Sequence, residues 1–393
     1  MSADRSHPPG TLLMVGNYRP DEGFAWWLME HFWIEMSVLG REHGLEPLIA
    51  FPEDGDLPAA IQQANIETII QPFPGQGAKA LFRSIGLVRS RRIRFIYFTD
   101  RAFTSAAYLV FRLLGARVIL NHDHTPGDRP PVGGIKGLLK AVWRRLPLLN
   151  CDLQICVAPI IQDRAIRNAR IPANRTVVVQ NGIDPVRCGE DRTYAHRQFG
   201  FPPDALICVN VGRANPYKRI DFFIEVARVC IQDYKIEQIY FLHCGDGPDL
   251  GRLQRMASEA GLTSRLVFAG RRADIREILC SATLALHPAR GEAFSLAIVE
   301  YMSAGLVVLV PNLPSVCQAI RNGIDGIVFE DGNAREAARH IKNLLSQTDQ
   351  RRALQVMARQ TVREQFTLET MDQQFSTVVR AQLERVESRG GSR

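Results

Sequence analysis

Short apolar runs alternate with helix-period segments along nearly the whole chain, the pattern of parallel sheets joined by crossover helices. In the first half the runs are TLLMVGN (Thr11–Asn17), EPLIAF (Glu46–Phe51), IETIIQP (Ile66–Pro72), FIYFTD (Phe95–Asp100), RVILNH (Arg117–His122), LQICVA (Leu153–Ala158) and TVVVQN (Thr176–Asn181). Almost every position in them is apolar, as expected of strands covered on both faces. Turn formers then interrupt the pattern at NGIDPVRCGED and FGFPPDA. A second series follows: LICVNVGR (Leu206–Arg213), IYFLHCG (Ile239–Gly245), LVFAG (Leu266–Gly270), TLALHP (Thr283–Pro288), LVVLVPN (Leu306–Asn312) and GIVFED (Gly326–Asp331). From about Asn333 onward the pattern is helical. The reading is an α/β chain of two doubly wound, Rossmann-like units, 1–190 and 191–370, facing each other across a linker near Asn181–Asp204. Ligands of such sheets bind outside the carboxyl ends of the strands, so the loops after these runs are where chemistry is expected.

Length agrees, because 393 residues exceed one ordinary core and divide naturally into two domains. No apolar run reaches the ~18–20 residues needed to span a bilayer. The opening MSADRSHPPG lacks the apolar core of a signal peptide and reads as a loose leader on a cytosolic protein. Eight cysteines stand singly, most in apolar runs, with no CxxC pair. Reduced, buried thiols are therefore expected rather than disulfides or zinc ligands. The net charge of +7 is uneven: residues 1–180 hold 21 Lys/Arg against 16 Asp/Glu, the remainder 27 against 25. A basic first half suits anionic lipid, acidic glycan or nucleic acid, or is merely solvated surface. For nucleic acid nothing beyond this charge speaks, and none is expected as a partner. VGNYRPDEGF after the first strand is not a GxGxxG loop, and neither a Walker A stretch nor metal-ligand spacing occurs, which argues against a dinucleotide dehydrogenase.

Two strand ends of the second half carry chemistry. In NVGRANPYKRIDFFIEVA, Gly212 and Arg213 end a strand and Lys218 opens a helix. Such a pair, with the helix dipole behind it, makes a compact cationic site for a diphosphate, unless it is a surface loop with idle charges. HCGDGPDLGRL sets Gly245 and Gly247 around Asp246, which a tight strand-to-helix turn explains equally well. The stretch HPARGEAFSLAIVEYMSAG holds Glu292 and Glu300 with seven residues between them. Ser295 is a natural N-cap and Gly305 a natural stop, predicting a helix over 296–304. At ~1.5 Å per residue the two carboxylates stand ~12 Å apart, wider than the ~5–9.5 Å of a glycosidase pair. The spacing suits an elongated ligand with hydroxyls at both ends and an anion between them facing the amides of Phe294 and Ser295. The alternative is an amphipathic helix with two exposed glutamates, for which FSLAIV is too apolar.

Together VGR…YK, GDGP, the FAG strand end, the Glu-x7-Glu motif and NGID at Asn181–Asp184 resemble the nucleotide-sugar half of retaining glycosyltransferases of family 4, which have the GT-B fold. The resemblance covers Asn210–Asp331 nearly end to end and the first half more loosely. It implies a GT-B chain whose C-terminal helices, 371–393 included, pack back toward the first domain. It implies that Arg213 and Lys218 bind and stabilise the departing diphosphate, and that replacing either by alanine removes turnover with the fold intact. Glu292 would hold donor-sugar hydroxyls with the backbone of Ala293, Phe294 and Ser295. Glu300 would bind the ribose, and the backbone near Arg271 and Arg272 the base. In the first domain ILNHDHTPG offers His122 or His124 as an active-site histidine, and the loop around Gly16 and Gly23 would face the diphosphate; Gly212, Gly245 and Asp246 complete the donor set.

This chain departs from the family pattern in three places. PDEGFAWW has one glycine where a pair is usual, Gln318 stands where Glu is common, and Lys218–Arg219 replaces Lys-Gly. The implied reaction is retaining, metal-independent transfer from a UDP- or GDP-sugar to a glycan or lipid-linked acceptor in surface polysaccharide or glycolipid synthesis, with no cofactor. Alternatives are a GT-B nucleotide-sugar epimerase and a non-catalytic sugar-nucleotide or glycan-binding protein. IKGLLKAVWRRLPLL (Ile135–Leu149) interleaves Lys136, Lys140, Arg144 and Arg145 with Leu and Trp143. It is either a peripheral contact with an anionic membrane at the cytoplasmic face or a core-packed helix with a solvated basic side.

Overall fold

The computed structural model describes residues 10–21, 26–127 and 129–388. The leader, Gly23 and the residues after 388 lie outside the described residues. The chain divides into two compact units, one holding residues up to 180 and from 371 onward, the other 181–370. The first boundary therefore falls at the start of the turn-rich stretch, ten residues before the expected bound at 190.

The first unit is a parallel sheet of β1 (Gly10–Val15), β2 (Leu45–Phe51), β3 (Glu67–Ile70), β4 (Ile93–Thr99), β5 (Val118–Asp123), β6 (Leu153–Cys156) and β7 (Thr176–Val178), in the order β3-β2-β1-β4-β5-β6-β7. The second is a parallel sheet of β8 (Leu206–Val211), β9 (Ile239–Cys244), β10 (Leu266–Phe268), β11 (Leu284–Leu286), β12 (Val307–Pro311) and β13 (Ile327–Phe329), in the order β10-β9-β8-β11-β12-β13. In both sheets the order reverses beside the first strand, the switch point at which open α/β sheets take ligands. The central strands are buried on both faces, which is why they read as unbroken apolar runs: Phe95, Ile96, Phe98, Val118, Ile119 and Leu120 are fully buried.

The helix Leu368–Ser388 completes the first unit. Phe375, Val379 and Leu383 are fully buried, Arg380 pairs with Glu42 at 2.6 Å, and the ring of Phe375 stacks 6.0 Å from that of His122. In the second unit Ile183 bridges to Thr367 in parallel, so the NGID stretch is stitched beside the chain that leads into this helix.

Two expectations are corrected. Cys188 and Cys280, 92 positions apart, form a disulfide with a Cα–Cα distance of 5.4 Å. Singly placed cysteines can meet when a loop such as that of Cys188 packs on a distant helix such as Ile275–Ser281, which holds Cys280, and spacing along the chain cannot show this. The pairing removes the thiol argument for a reducing compartment. The other six are free and five of them buried, and burial pushes the thiols of Cys151, Cys156, Cys230 and Cys244 up to about 12, so they are poor nucleophiles. The helix Gly134–Trp143 is not core-packed with its basic side in water. Its apolar side is the exposed one: Ile135 is 78% exposed, and Leu138, Leu139, Val142 and Trp143 are more than half exposed, whereas Lys140 and Arg144 are half-buried.

Candidate active site

The strand ends of the second unit converge on one charge cluster. β8 ends at Val211, followed by Gly212 and an exposed Arg213. Asn215 accepts from the Lys218 amide at 3.2 Å through its side chain and so caps the short 3-10 turn Pro216–Lys218. The Arg290 amide donates to the Tyr217 carbonyl at 2.9 Å, which draws the loop after β11 onto this turn. The Lys218 ammonium then meets Glu292 Oε1 at 2.6 Å, with both side chains nearly buried. His287, at the end of β11, brings Nε2 to 3.1 Å from the same oxygen and 3.3 Å from Ser295 Oγ. Nε2 is therefore the protonated nitrogen of a neutral imidazole whose burial lowers its pKa. Burial alone would raise the Glu292 carboxyl, but Lys218 and His287 outweigh it and hold the group at about 2. Glu292 is a fixed anion and cannot act as a proton donor near neutral pH.

The helix Leu296–Ala304 has the predicted bounds. Ser295 stands at its N-cap without a capping hydrogen bond, its hydroxyl being turned to His287, and Gly305 ends it in the left-handed conformation at φ +83°. The Tyr301 hydroxyl accepts from the Val211 amide at 2.6 Å and donates to its carbonyl at 3.1 Å. This anchors the helix to the end of β8 and fixes the neighbouring Glu300. Burial raises the Glu300 carboxyl to about 7 while Arg276 pulls it down. A group poised at neutral pH beside one locked as an anion shows that the two carboxylates are not equivalent.

The glycines have packing reasons. A Cβ on Gly245 would lie 1.9 Å from the Gly212 carbonyl oxygen, and one on Gly247 2.4 Å from that of Ala214. The Gly212 amide donates to Cys244 at 3.0 Å, and the Ala214 amide to Asp246 at 2.9 Å. The GDG turn thus presses the end of β9 against the Arg213 loop, leaving the Asp246 carboxylate exposed. The other departures from the family pattern also gain a structural basis. Arg219 lies at φ 53°, the left-handed region in which glycine is at ease, and compensates with a 2.8 Å pair to Asp331 and a stack over Phe222. Gln318 donates to the carbonyls of Ala293 and Ser315 at 3.0 and 2.9 Å, bonds a glutamate cannot make, so it fixes the loop of Ala293 and Phe294. Arg272 is tied through its Nε and Nη2 to both oxygens of Asp274, and Tyr194 donates to the oxygen that accepts from Nη2; Arg271 is exposed.

In the first unit the two histidines differ. His122 is fully buried, bonds Tyr97 OH through Nδ1 at 2.6 Å and packs against Phe32 and Phe375; burial holds it neutral. It is a core residue, which corrects its candidacy. His124, its ring 4.1 Å away and held neutral at about 4 by burial, lies where β5 gives way to loop and is partly exposed. Gly16 is buried against Phe51, with room for a Cβ only at 3.0 Å. Among the described residues, His31, Glu35 and Asp372 are the group whose ligand atoms, within 4.8 Å of one another, could hold a metal. His31 and Asp372 are already paired at 2.7 Å.

The comparisons with known proteins meet this geometry. Residues 191–361 match the family model described as Glycosyl transferases group 1, and residues 29–187 that of Glycosyltransferase Family 4, so that the two together take in most of the chain. The chain belongs to glycosyltransferase family 4. Similar curated proteins are the N-acetyl-alpha-D-glucosaminyl L-malate synthase of Bacillus anthracis (23% identical, covering 69% of this chain and 70% of that protein) and the UDP-Gal:alpha-D-GlcNAc-diphosphoundecaprenol alpha-1,3-galactosyltransferase of Escherichia coli (27%, 49% and 48%). A D-inositol 3-phosphate glycosyltransferase of Thermobispora bispora is 26% identical, covering 47% of this chain and 45% of that protein. The alignments thus span about half the length of the latter two. Among solved structures a glycosyltransferase from Rickettsia africae superimposes with a TM-score of 0.77 at 18% identity, covering 96% of this chain and 99% of that one. Anabaena HepE in complex with UDP-glucose gives 0.72 at 21%, covering 94% and 99%. These likenesses show the GT-B fold.

For this family 4 glycosyltransferase, reading the sequence missed His287 and Tyr301. His287 left one signal, a polar residue closing the apolar run TLALHP, five positions before Glu292. Tyr301 left none, since its hydroxyl points back to a strand 90 positions earlier.

Proposed function

We propose that this glycosyltransferase moves a sugar from a UDP- or GDP-sugar to a glycan or lipid-linked acceptor with retention of anomeric configuration, in the assembly of a surface polysaccharide or glycolipid. The observation that carries the reading is the Lys218–Glu292–His287 cluster at the carboxyl ends of β8 and β11. An ammonium has three donors, so Lys218 can keep Glu292 with one and turn the others to the donor diphosphate beside Arg213. As the bond from the anomeric carbon to the diphosphate breaks, charge grows on the phosphate oxygens, and Arg213, Lys218 and the amides of Phe294 and Ser295 meet it. Glu292, kept anionic, accepts from sugar hydroxyls and faces the positive charge that develops on the ring. Glu300 accepts from the ribose, and the backbone at Arg271 and Arg272 reads the base. Because these groups supply the positive charge, the reaction needs no divalent ion. The relatives are named for the acceptors L-malate, a diphosphoundecaprenol-linked sugar and inositol 3-phosphate.

The test is a thermal-shift screen of UDP-, GDP- and ADP-sugars, followed by transfer assays with chelator present. One donor should stabilise the chain, by ~2.7 kcal/mol at a hundredfold excess over Kd, and the product should keep the donor's anomeric configuration by NMR. Stabilisation by no donor, or an inverted product, overturns the reading.

Glu300 adds a pH signature. Only its ionised form accepts from both ribose hydroxyls, and its pKa is about 7. Nucleotide affinity should therefore rise by about tenfold from pH 6 to pH 8 and level off above. Glu300→Gln should flatten this rise in calorimetric titrations; an unchanged pH profile in that variant would remove Glu300 from the ribose site.

The helix Gly134–Trp143 fits an anionic membrane surface. Its exposed Ile135, Leu138, Leu139, Val142 and Trp143 are flanked by exposed Lys136 and Arg145, and each basic side chain near such a surface adds ~1 kcal/mol. Among the described residues no helix is long and apolar enough to cross a membrane, so the contact would lie in the interface. The chain should float with vesicles of phosphatidylglycerol at low salt, and Ile135→Asp with Leu138→Asp should lower that partition at least tenfold. No flotation of the wild type rules the contact out.

A further inference from the structure

A cavity of about 120 Å³ opens where β4, β5 and β6 of the first unit end, lined by Arg101, Arg129, Arg144 and Arg164 with one carboxylate among the described residues, Asp123. That carboxylate is committed: Arg164 spans its two oxygens at 3.4 and 3.3 Å, and Gln154 donates to one of them at 3.1 Å. Two of the other three guanidinium groups are held by neutral atoms. Arg144 donates to Thr104 Oγ1 at 2.6 Å and lies 5.5 Å above the Phe103 ring. Arg101 reaches the Phe73 carbonyl at 3.4 Å, and its Nε is buried with no hydrogen-bond partner among the described residues. Arg129 is exposed. Among the described residues no ion pair joins a carboxylate to Arg101, Arg129 or Arg144. Asp100 feels the charge of Arg129, but its Oδ1 accepts from the His124 amide at 2.6 Å and from Thr125 at 3.3 Å, and burial raises it to about 6.

Such crowding is unfavourable without a counter-ion. Burial lowers the pKa of Arg101 and of Arg144, and Lys140 on the neighbouring helix is lowered by burial and then by Arg144, Arg129 and Arg170. Guanidinium forks that converge unpaired are complementary to planar or tetrahedral oxyanions, which they bind by paired N–H···O bonds. The cavity is many times the ~10–15 Å³ that one water needs, so a four- or five-atom oxyanion fits. Its place at the carboxyl ends of the strands is where open α/β sheets take ligands. Side-chain alternation along β5 sets it, with Asp123, on the face of the sheet opposite to His122 and His124.

We propose that this cavity binds an oxyanion, a phosphate or carboxylate, that is part of the acceptor, with Arg101, Arg129 and Arg144 as its ligands. The proposal rests on the glycosyltransferase reading above and deepens it: the acceptor is an anionic molecule, and the first unit selects it by charge.

The experiment is titration of the full chain with inorganic phosphate and with glycerol 3-phosphate, followed by calorimetry. It is run with saturating UDP, GDP or ADP, whichever stabilises the chain, so that the donor site is filled. Wild type should bind saturably, and Arg101→Gln and Arg129→Gln should each weaken binding about tenfold. Glycerol 3-phosphate outcompeting phosphate marks a water-soluble acceptor, whereas displacement by phosphatidate in detergent micelles alone marks a lipid headgroup; either supports the site. Arg129 is exposed, so its variant remains informative even where Arg101→Gln does not fold. No saturable binding, or variants that bind as wild type does, overturns the proposal. A chain stabilised by nucleotide yet indifferent to phosphate loses the oxyanion site and keeps the transferase reading. A chain that no nucleotide stabilises loses the latter.

Discussion

Lys218→Ala should cost about 3–5 kcal/mol of stability as well as turnover, because it leaves Glu292 as a buried anion without its cation. This corrects the expectation that the substitution leaves the fold intact, which holds for an exposed lysine but not for one that meets a nearly buried glutamate at 2.6 Å. The pH dependence has a definite sign. Glu292 is depressed from 4.5 to about 2 on folding, so its contribution is fully present above the unfolded value and is lost as pH falls from about 4.5 through 2. The shift corresponds to roughly 3 kcal/mol. Urea denaturation of wild type at pH 7 and pH 3 should show about 2 kcal/mol of that loss, pH 3 still lying above the folded value, and Lys218→Ala should abolish most of the difference. The paired variant Lys218→Met with Glu292→Gln, which removes both charges, should recover most of the stability while transfer stays absent, since neither leaving-group charge nor ring charge is then met. Recovery of transfer in that variant would show that the pair is structural only; wild-type stability in Lys218→Ala would show that the pair is not formed in solution.

What the sequence discloses and what it hides divide along one physical line. Buried parallel strands must be apolar on both faces, and helix ends need caps or a left-handed residue, so the strand series and the helix Leu296–Ala304 can be read from local pattern alone. Contacts between distant segments leave no such mark. Lys218 and Glu292 are 74 positions apart, Cys188 and Cys280 92 apart, and the four arginines of the oxyanion cavity come from segments that only the crossing order of β4, β5 and β6 brings together. The resemblance to a family names Lys218 and Glu292 but does not say that they neutralise each other. It also leaves Arg219 as an unexplained departure, whereas its φ of 53° shows why glycine is usual there and what the arginine gains in return. The histidines show the converse risk. ILNHDHTPG looks like one functional loop, yet His122 is still in the strand and points into an aromatic core, while His124 begins the loop.

Gly245→Ala should be the most damaging single methyl group that can be added to this chain's second unit. The new Cβ would lie 1.9 Å from the Gly212 carbonyl oxygen and 2.8 Å from its carbon, both backbone atoms that cannot rotate away. Relief requires the ends of β8 and β9 to part by about an ångström, against the hydrogen bonds from the Gly212 amide to Cys244 and from the Gly245 amide to Gly270. A loss of more than about 4 kcal/mol is expected, in the class of effects that need a specific steric cause. Where the fold survives, Arg213 is carried out of place, and a displacement of that size costs on the order of a hundredfold in rate. Gly212→Ala is the control. A Cβ there would find Lys218 Cδ, at 3.7 Å, as its nearest neighbour, so stability should change by less than ~1 kcal/mol. Denaturation midpoints of the two variants measured side by side decide the matter. Equal stabilities would mean that the two strand ends are not in this close contact, and the placement of Arg213 beside the GDG turn would fall with it.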